Sequence, residues 1–166
     1  MRVADFSGIA PQMAPGPWIA SGMEIDPNAI SVAERYKLLI GGVTPRFIAL
    51  VSTVSPDGSP NVAPFSFATA VGSNPMMLMF CPANRPDGGE KDSLRNAKPE
   101  SEGGTGQFVV NTVPFAIARQ IAAAAEDLPH GESEFGLAGL TEEPSERVRP
   151  PRVAESPLSY ECETTQ

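Results

Sequence analysis

The sequence predicts a mainly β domain with accessory helices (α+β), and three observations predict it. Prolines number 18 in 166 residues, about twice the usual frequency, and they interrupt the chain too often for long helices. Extended apolar runs such as FIALVSTV and MMLMFC recur between Gly/Pro-rich corners, the layout of strands joined by turns. Only short stretches carry helical spacing. A hydrophobic content of 41% over this length supports one domain, 24–166, with a core of its own.

The elements follow in order. Residues 1–23, with Pro11, Pro15 and Pro17, carry no period and read as a loosely held arm in which Trp18 is a lone docking candidate. Ser31-Val32-Ala33-Glu34 has the capping-box pattern, which opens a helix over about 31–41. Its apolar stripe of Val32, Tyr36, Leu39 and Ile40 reads as a packing face, and Gly41-Gly42 supplies the stop. Residues 47–54 form the first strand, Pro56-Asp57-Gly58 the turn, and 61–71 the returning strand of a hairpin. Pro64 cannot donate to a ladder, which places it at an edge or a bulge where backbone groups are free to meet a ligand. In that strand Phe65 and Phe67 share one face.

The unbroken run at 76–81 predicts a third strand buried on both faces and meandering with the first two. Pro86-Asp87-Gly88-Gly89 turns the chain into a short helix over 92–97. Residues 98–106, KPESEGGTG, read as a flexible connector. Its GGTG lacks both GxxxxGK[ST] and GxGxxG, so no phosphate loop or dinucleotide fingerprint is predicted there. A fourth strand covers 107–113, an Ala-rich helix 115–125, and SEFGLAG one short turn of helix before the extended RVRPPRVAESP. Leu158, Tyr160 and Cys162 alternate with polar residues as a half-buried strand. That strand stops without a turn or cap, an open edge that predicts a longer parent domain.

Charge and reactive residues narrow the function. The formal net charge is −8; residues 1–99 hold eight Lys/Arg against eight Asp/Glu, and 100–166 hold four against twelve. So acidic a chain, with no basic stripe, repels a polyanionic backbone and predicts no nucleic-acid partner. One anionic cofactor remains compatible, because only local charge matters to it. No apolar run approaches the roughly 20 residues of a membrane helix, and the first residues lack a secretory layout, which predicts a cytoplasmic chain without a membrane partner. Cys81 and Cys162 sit in strand-like runs without a CxxC and read as buried small hydrophobes, not zinc ligands. A single histidine, His130, and the lack of a GxSxG elbow argue against a Ser-His-Asp enzyme.

One stretch carries most of the functional case. TPRFIALVSTVSPDGSPNVAPFSF and SNPMMLMFCPANRPDGGEKDSLRN, with GQFVVN, SEFGLAGL and RVRPPRVAESPLSYECE further on, resemble the flavin reductase-like, FMN-binding split-barrel family from about residue 25 to residue 163. The resemblance implies a small Greek-key barrel with accessory helices, its last strands absent from this chain, and a homodimer that holds flavin near the subunit interface. It implies that Ala63, Pro64, Phe65 and Ser66 run along the flavin ring edge and that Cys81, Pro82 and Ala83 line the adjoining wall. Lys91, Asp92 and Ser93 match the phosphate-binding element, with Asp92 read as the helix cap; Arg85 is a second cation, and Arg46 reaches the flavin from the start of the first strand. Three departures from the family pattern stand out: Phe47 where proline is common, Ala68 where an aromatic is usual, and a longer connector before Gln107. Read as residues alone, Ser66 fits a solvent-facing strand position, Lys91 a solvated charge, and Phe65 and Phe67 ordinary core.

The implied function is that of an FMN-binding oxidoreductase, with NAD(P)H as a co-substrate passing hydride to flavin. The flavin would carry the chemistry and the protein its placement, which suits a chain so poor in histidine. An FMN-binding electron carrier without nicotinamide turnover, and a degenerate fragment of either, remain the other readings.

Overall fold

The computed structural model describes residues 24–85, 88–129 and 131–165. The expected arm at 1–23, its Trp18, and His130 lie outside the described residues. Contacts divide the chain between Thr44 and Pro45 into two units. In the first, helix α1 spans Val32–Gly42 behind the predicted capping box. Glu34 N donates to Ser31 Oγ at 3.2 Å, and Ser31 N donates to Glu34 Oε2 at 2.8 Å. The two groups satisfy each other's open valences at the helix start. No residue of α1 is buried, and Val32 and Tyr36 stand 74% and 51% exposed.

The second unit is built on an antiparallel sheet in the order β2-β1-β5-β8, with β1 at Ala49–Val54, β2 at Pro60–Phe65, β5 at Gln107–Thr112 and β8 at Ser159–Glu163. Every residue of β1 is buried. Alternating side chains feed two cores, as the twofold period of a strand requires. Leu50 packs with Val62, Phe135, Leu140 and Val153 on one face, while Ala49 and Val51 pack with Phe65, Phe108 and Val110 on the other. The first face is roofed by α3 (Ala118–Ala123) and α4 (Glu134–Ala138).

The predicted returning strand is two strands. β2 pairs with β1 as far as Phe65; the chain then bends at Ser66-Phe67, and β3 (Ala68–Ser73) leaves to pair with β4 (Met76–Phe80) in a separate two-stranded sheet. A three-strand meander is therefore not formed. β4 is also not buried on both faces: Met76, Met77 and Met79 are 75%, 39% and 45% exposed. Its hairpin lays only Leu78 and Phe80 against the core, with the Phe80 ring 5.2 Å from Phe65 and 5.0 Å from Phe108. Cys81, read as buried, is exposed, and Cys162 is half-buried, because each lies at a sheet margin.

The expected flexible connector at 98–106 is packed. After α2 (Asp92–Ala97), a 3-10 turn at Glu100–Glu102 folds the glycines back, with Thr105 N donating to Asn96 O at 2.8 Å and Gly106 N to Lys98 O at 2.7 Å. A Cβ on Gly104 would stand 2.1 Å from Lys98 O, so the close approach of two backbones demands glycine.

A buried amide ties the strands together. Asn111 on β5 is fully buried; its Nδ2 donates to Leu50 O at 3.0 Å and Ser52 Oγ at 3.2 Å, while its Oδ1 accepts from Val153 N at 3.1 Å and Ser159 Oγ at 2.7 Å. Val153 belongs to β7 (Arg152–Val153), which pairs with β6 (Glu142–Glu143). Pro64 lies on an edge strand as expected. Val62 N points away from β1 toward Glu134 Oε2 at 3.3 Å, and Pro60 and Pro64, two residues to either side, share its outward parity. The outer edge of β2 thus presents no free backbone donor from 60 to 64.

Candidate functional site

The bend at residue 66 and the helix α2 place two sequence-distant segments on one groove. Ala63, Pro64 and Phe65 from β2 face Arg85, Lys91, Asp92 and Ser93 across a hollow of about 70 Å³, closed by residues 124–128 and by Glu134. The structure therefore brings seven of the predicted residues together. Arg46 and Ser66 are half-buried outside this hollow, and Cys81 and Ala83 are exposed beyond it. Pro82 lines a different cavity, of about 750 Å³, walled by Leu78, Phe80, Phe108, Tyr160 and Cys162. The two hollows share no lining residue.

Lys91, not Asp92, occupies the N-cap position of α2, and no side chain caps that helix. Asp92 stands one residue inside, where the helix dipole favours a negative charge. It is gripped by cations: Arg95 Nη1 lies 3.2 Å from its Oδ1 and Arg85 Nη2 lies 3.7 Å from its Oδ2. Lys91 Nζ is paired with Asp127 Oδ1 at 3.0 Å, an ion pair at the mouth of the groove where Asp127 is 59% exposed. Arg85 Nη2 also donates to Leu128 O at 3.5 Å, whereas Arg85 Nε is buried with no hydrogen-bond partner among the described residues. A buried guanidinium N–H left over in this way costs free energy until an acceptor reaches it.

Behind these charges lies a polar chain. Ser93 is 2% exposed. With the Asn61 amide turned so that donors meet acceptors, its oxygen accepts from Ser93 Oγ at 3.0 Å and from Val62 N at 3.2 Å, and its nitrogen donates to Glu134 Oε2 at 3.2 Å. Burial pushes the Glu134 carboxyl above its usual range; hydrogen bonds from its own backbone and from Val62 pull the other way, the Asp92 charge adds to the rise, and Lys91 opposes it. Beside this chain, Asn96 Nδ2 donates to Thr53 Oγ1 at 3.1 Å.

Four polar or charged residues of the groove escaped the sequence reading. Asn61 and Glu134 are polar positions in otherwise apolar packing segments, and Glu126 and Asp127 lie in an acid-rich stretch without periodicity. Nothing in their spacing announces that they meet. The arrangement offers two cations and a spare N–H to an anion. Among the described residues no group of three or more His, Cys, Asp or Glu could hold a metal ion, and no helix is long and apolar enough to cross a membrane.

The flavin reductase like domain family model matches residues 41–166. A relative of uncharacterised function from Halalkalibacterium halodurans is 41% identical over 140 residues, covering 84% of this chain and 65% of its own. Nitrilotriacetate monooxygenase component B from Bacillus cereus superposes with a TM-score of 0.79 at 34% identity, covering 87% of this chain and 69% of that one. A split barrel domain protein of Shewanella frigidimarina, assigned as a flavin reductase, does so with a TM-score of 0.67 at 25% identity, covering 87% and 70%. The chain spans just under two thirds of the length of the curated relatives it matches.

Proposed function

Because the chain belongs to the flavin reductase-like domain family and has its split-barrel fold, we propose that it binds FMN and serves as a flavoprotein oxidoreductase that takes hydride from NAD(P)H. The observation that carries the proposal is the shared groove: Pro64 on the edge of β2 and the Lys91-Ser93 corner of α2 face one another with Arg85 between them. The residues fit the phosphate end of such a cofactor. Arg85 Nε is an unused buried donor, and Lys91 is held by a carboxylate that solvent reaches and that can be exchanged for a phosphate oxygen.

At about 70 Å³ the groove lies well below the roughly 300–1,000 Å³ of a pocket for a whole ligand. It is therefore assigned to the phosphate alone, with the ring directed along Ala63, Pro64, Phe65 and Ser66. When bound, the flavin supplies the redox chemistry. The chain's own tasks are binding and orientation. Lys91 and Arg85 neutralise the anion, Phe65 and Pro64 offer apolar surface, and outward carbonyls of β2 offer acceptors. No acid-base side chain is required, in keeping with a single histidine in 166 residues. Assembly as a homodimer belongs to the same proposal and is read from the mass in solution.

The test is the Lys91→Ala variant, titrated with FMN and with riboflavin by flavin fluorescence. A charge-assisted bond is worth about 1.5–3 kcal/mol, so FMN binding weakens about 10- to 100-fold while riboflavin binding is unchanged. Unaltered FMN affinity, or equal losses for both ligands, rejects the phosphate assignment. Oxidation of NADH or NADPH in the presence of FMN decides the nicotinamide half.

A further inference from the structure

The groove also holds a carboxylate for which the redox reading has no use. Glu134 opens α4, is 8% exposed, and accepts from Val62 N at 3.3 Å. Through the Asn61 amide it is linked to Ser93 Oγ, so one hydrogen-bonded chain runs from the anion corner to a buried acid. Charges face it from every wall of the groove. Lys91 and Asp92 come from α2, Arg85 from the loop before it, and Glu126 and Asp127 from the segment after α3. Four carboxylates, Glu134 included, stand against two cations.

An incoming phosphate adds up to two more negative charges. One carboxylate has to be neutralised, and the surroundings decide which. Asp92 is ion-paired with both Arg85 and Arg95, Asp127, which cedes Lys91 to the phosphate, is mostly open to water, and Glu126 is exposed. Glu134 is buried, and among the described residues no cation lies within ion-pair distance of it. Its charge is the least supported of the four.

Resting on the FMN reading above, we propose that Glu134 is a proton-linked specificity residue, which takes up one proton from solvent when a phosphate enters the groove. Neutralised, it stops repelling the anion, and its hydroxyl becomes a donor. A glutamine would keep the bonds to Val62 N and Asn61, so these structural contacts alone do not require a carboxylate. The sign follows from linkage. The Glu134 pKa is already raised by burial, and the bound anion raises it further, so protons are taken up at pH values between the free and bound pKa. Glu134 therefore strengthens its support of phosphate binding as the pH falls. The second ionisation of the phosphate, near pH 6, acts in the opposite direction, and a neutral variant separates the two.

The experiment is calorimetric titration of the full chain with FMN and with riboflavin near pH 7.5, in two phosphate-free buffers of different ionisation enthalpy, for wild type and Glu134→Gln. Wild type takes up part of a proton with FMN and none with riboflavin. Glu134→Gln takes up less and binds FMN about tenfold more tightly at pH 8, with riboflavin affinity unchanged. Equal proton counts and equal pH profiles in the two proteins overturn the coupling and leave the flavin assignment standing. Absence of FMN binding in both overturns the two together. Should the variant fail to fold, the Glu134 carboxyl carbon signal in wild type gives the answer: its titration midpoint rises with FMN if the coupling exists, and stays put if it does not.

Discussion

Replacing Asn111 with leucine keeps the branched outline of the side chain, with methyls bulkier than the amide groups, and deletes all of its hydrogen bonds at once. Asn111 is wholly buried and joins β1, β7 and β8 through Leu50 O, Ser52 Oγ, Val153 N and Ser159 Oγ, at 2.7 to 3.2 Å. The two serine hydroxyls can rotate to other partners, and each of those lost bonds costs about 0.5–1.5 kcal/mol. Leu50 O and Val153 N cannot, since their residues are 0% and 1% exposed, and each would be stranded at about 1–3 kcal/mol. Apolar burial of the leucine returns part of this, which leaves a loss of about 3–5 kcal/mol. Against a typical stability of about 5–15 kcal/mol, that is a large fraction. Urea denaturation followed by far-UV circular dichroism measures it as a fall in midpoint at constant slope. Ser159→Ala, which removes a single half-exposed bond, is the scale bar at about 1 kcal/mol. If Asn111→Leu costs no more than Ser159→Ala, the amide is not the hub described.

Two further outcomes follow from packing and burial. Gly104→Ala places its methyl 2.1 Å from Lys98 O and 2.8 Å from Arg95 O, both backbone, so either α2 or the turn after it must shift, at a cost of about 2–3 kcal/mol or more. Gly58→Ala meets nothing within 4 Å but holds φ of +97°, and thermal melts of the two variants should show it costing only about 1 kcal/mol. Cys162 is pushed up to about 11 by burial, so about one in a thousand of its thiols is ionised at pH 8. Iodoacetamide at that pH should alkylate exposed Cys81 at least about a hundred times faster, and comparable rates by peptide mass mapping contradict the burial.

The hairpin at 49–65, the helix opened by the Ser31 and Glu34 capping box and the strand at 107–112 were legible because turn chemistry, capping residues and β-branched runs are local properties. The break at Ser66-Phe67 was not, since a strand that changes sheets keeps its composition and alters only its neighbours. The methionines of β4 misled for a related reason: a continuous apolar run says that a strand can be buried, and only the presence of a covering layer decides whether it is. That description belongs to β1, which has a core on each side. At the groove, Lys91, Ser93 and Pro64 were identified through family resemblance, and their proximity is tertiary. Asn61 and Glu134 carry no periodic signature, because a polar residue buried by its partners looks in sequence like any other polar residue, and exposed Asp127 looks like any surface acid.

The two prolines of β2 have a meaning beyond the groove. With Pro60 and Pro64 lacking an amide hydrogen and the Val62 amide already engaged, that flank refuses a templating strand, whereas β8 pairs on one side only among the described strands. Self-association by strand addition therefore has a polarity. Oligomers or fibres that grow by lengthening this sheet would recruit through the Ser159–Glu163 side, where exposed Glu163 supplies a charge that keeps neighbours apart.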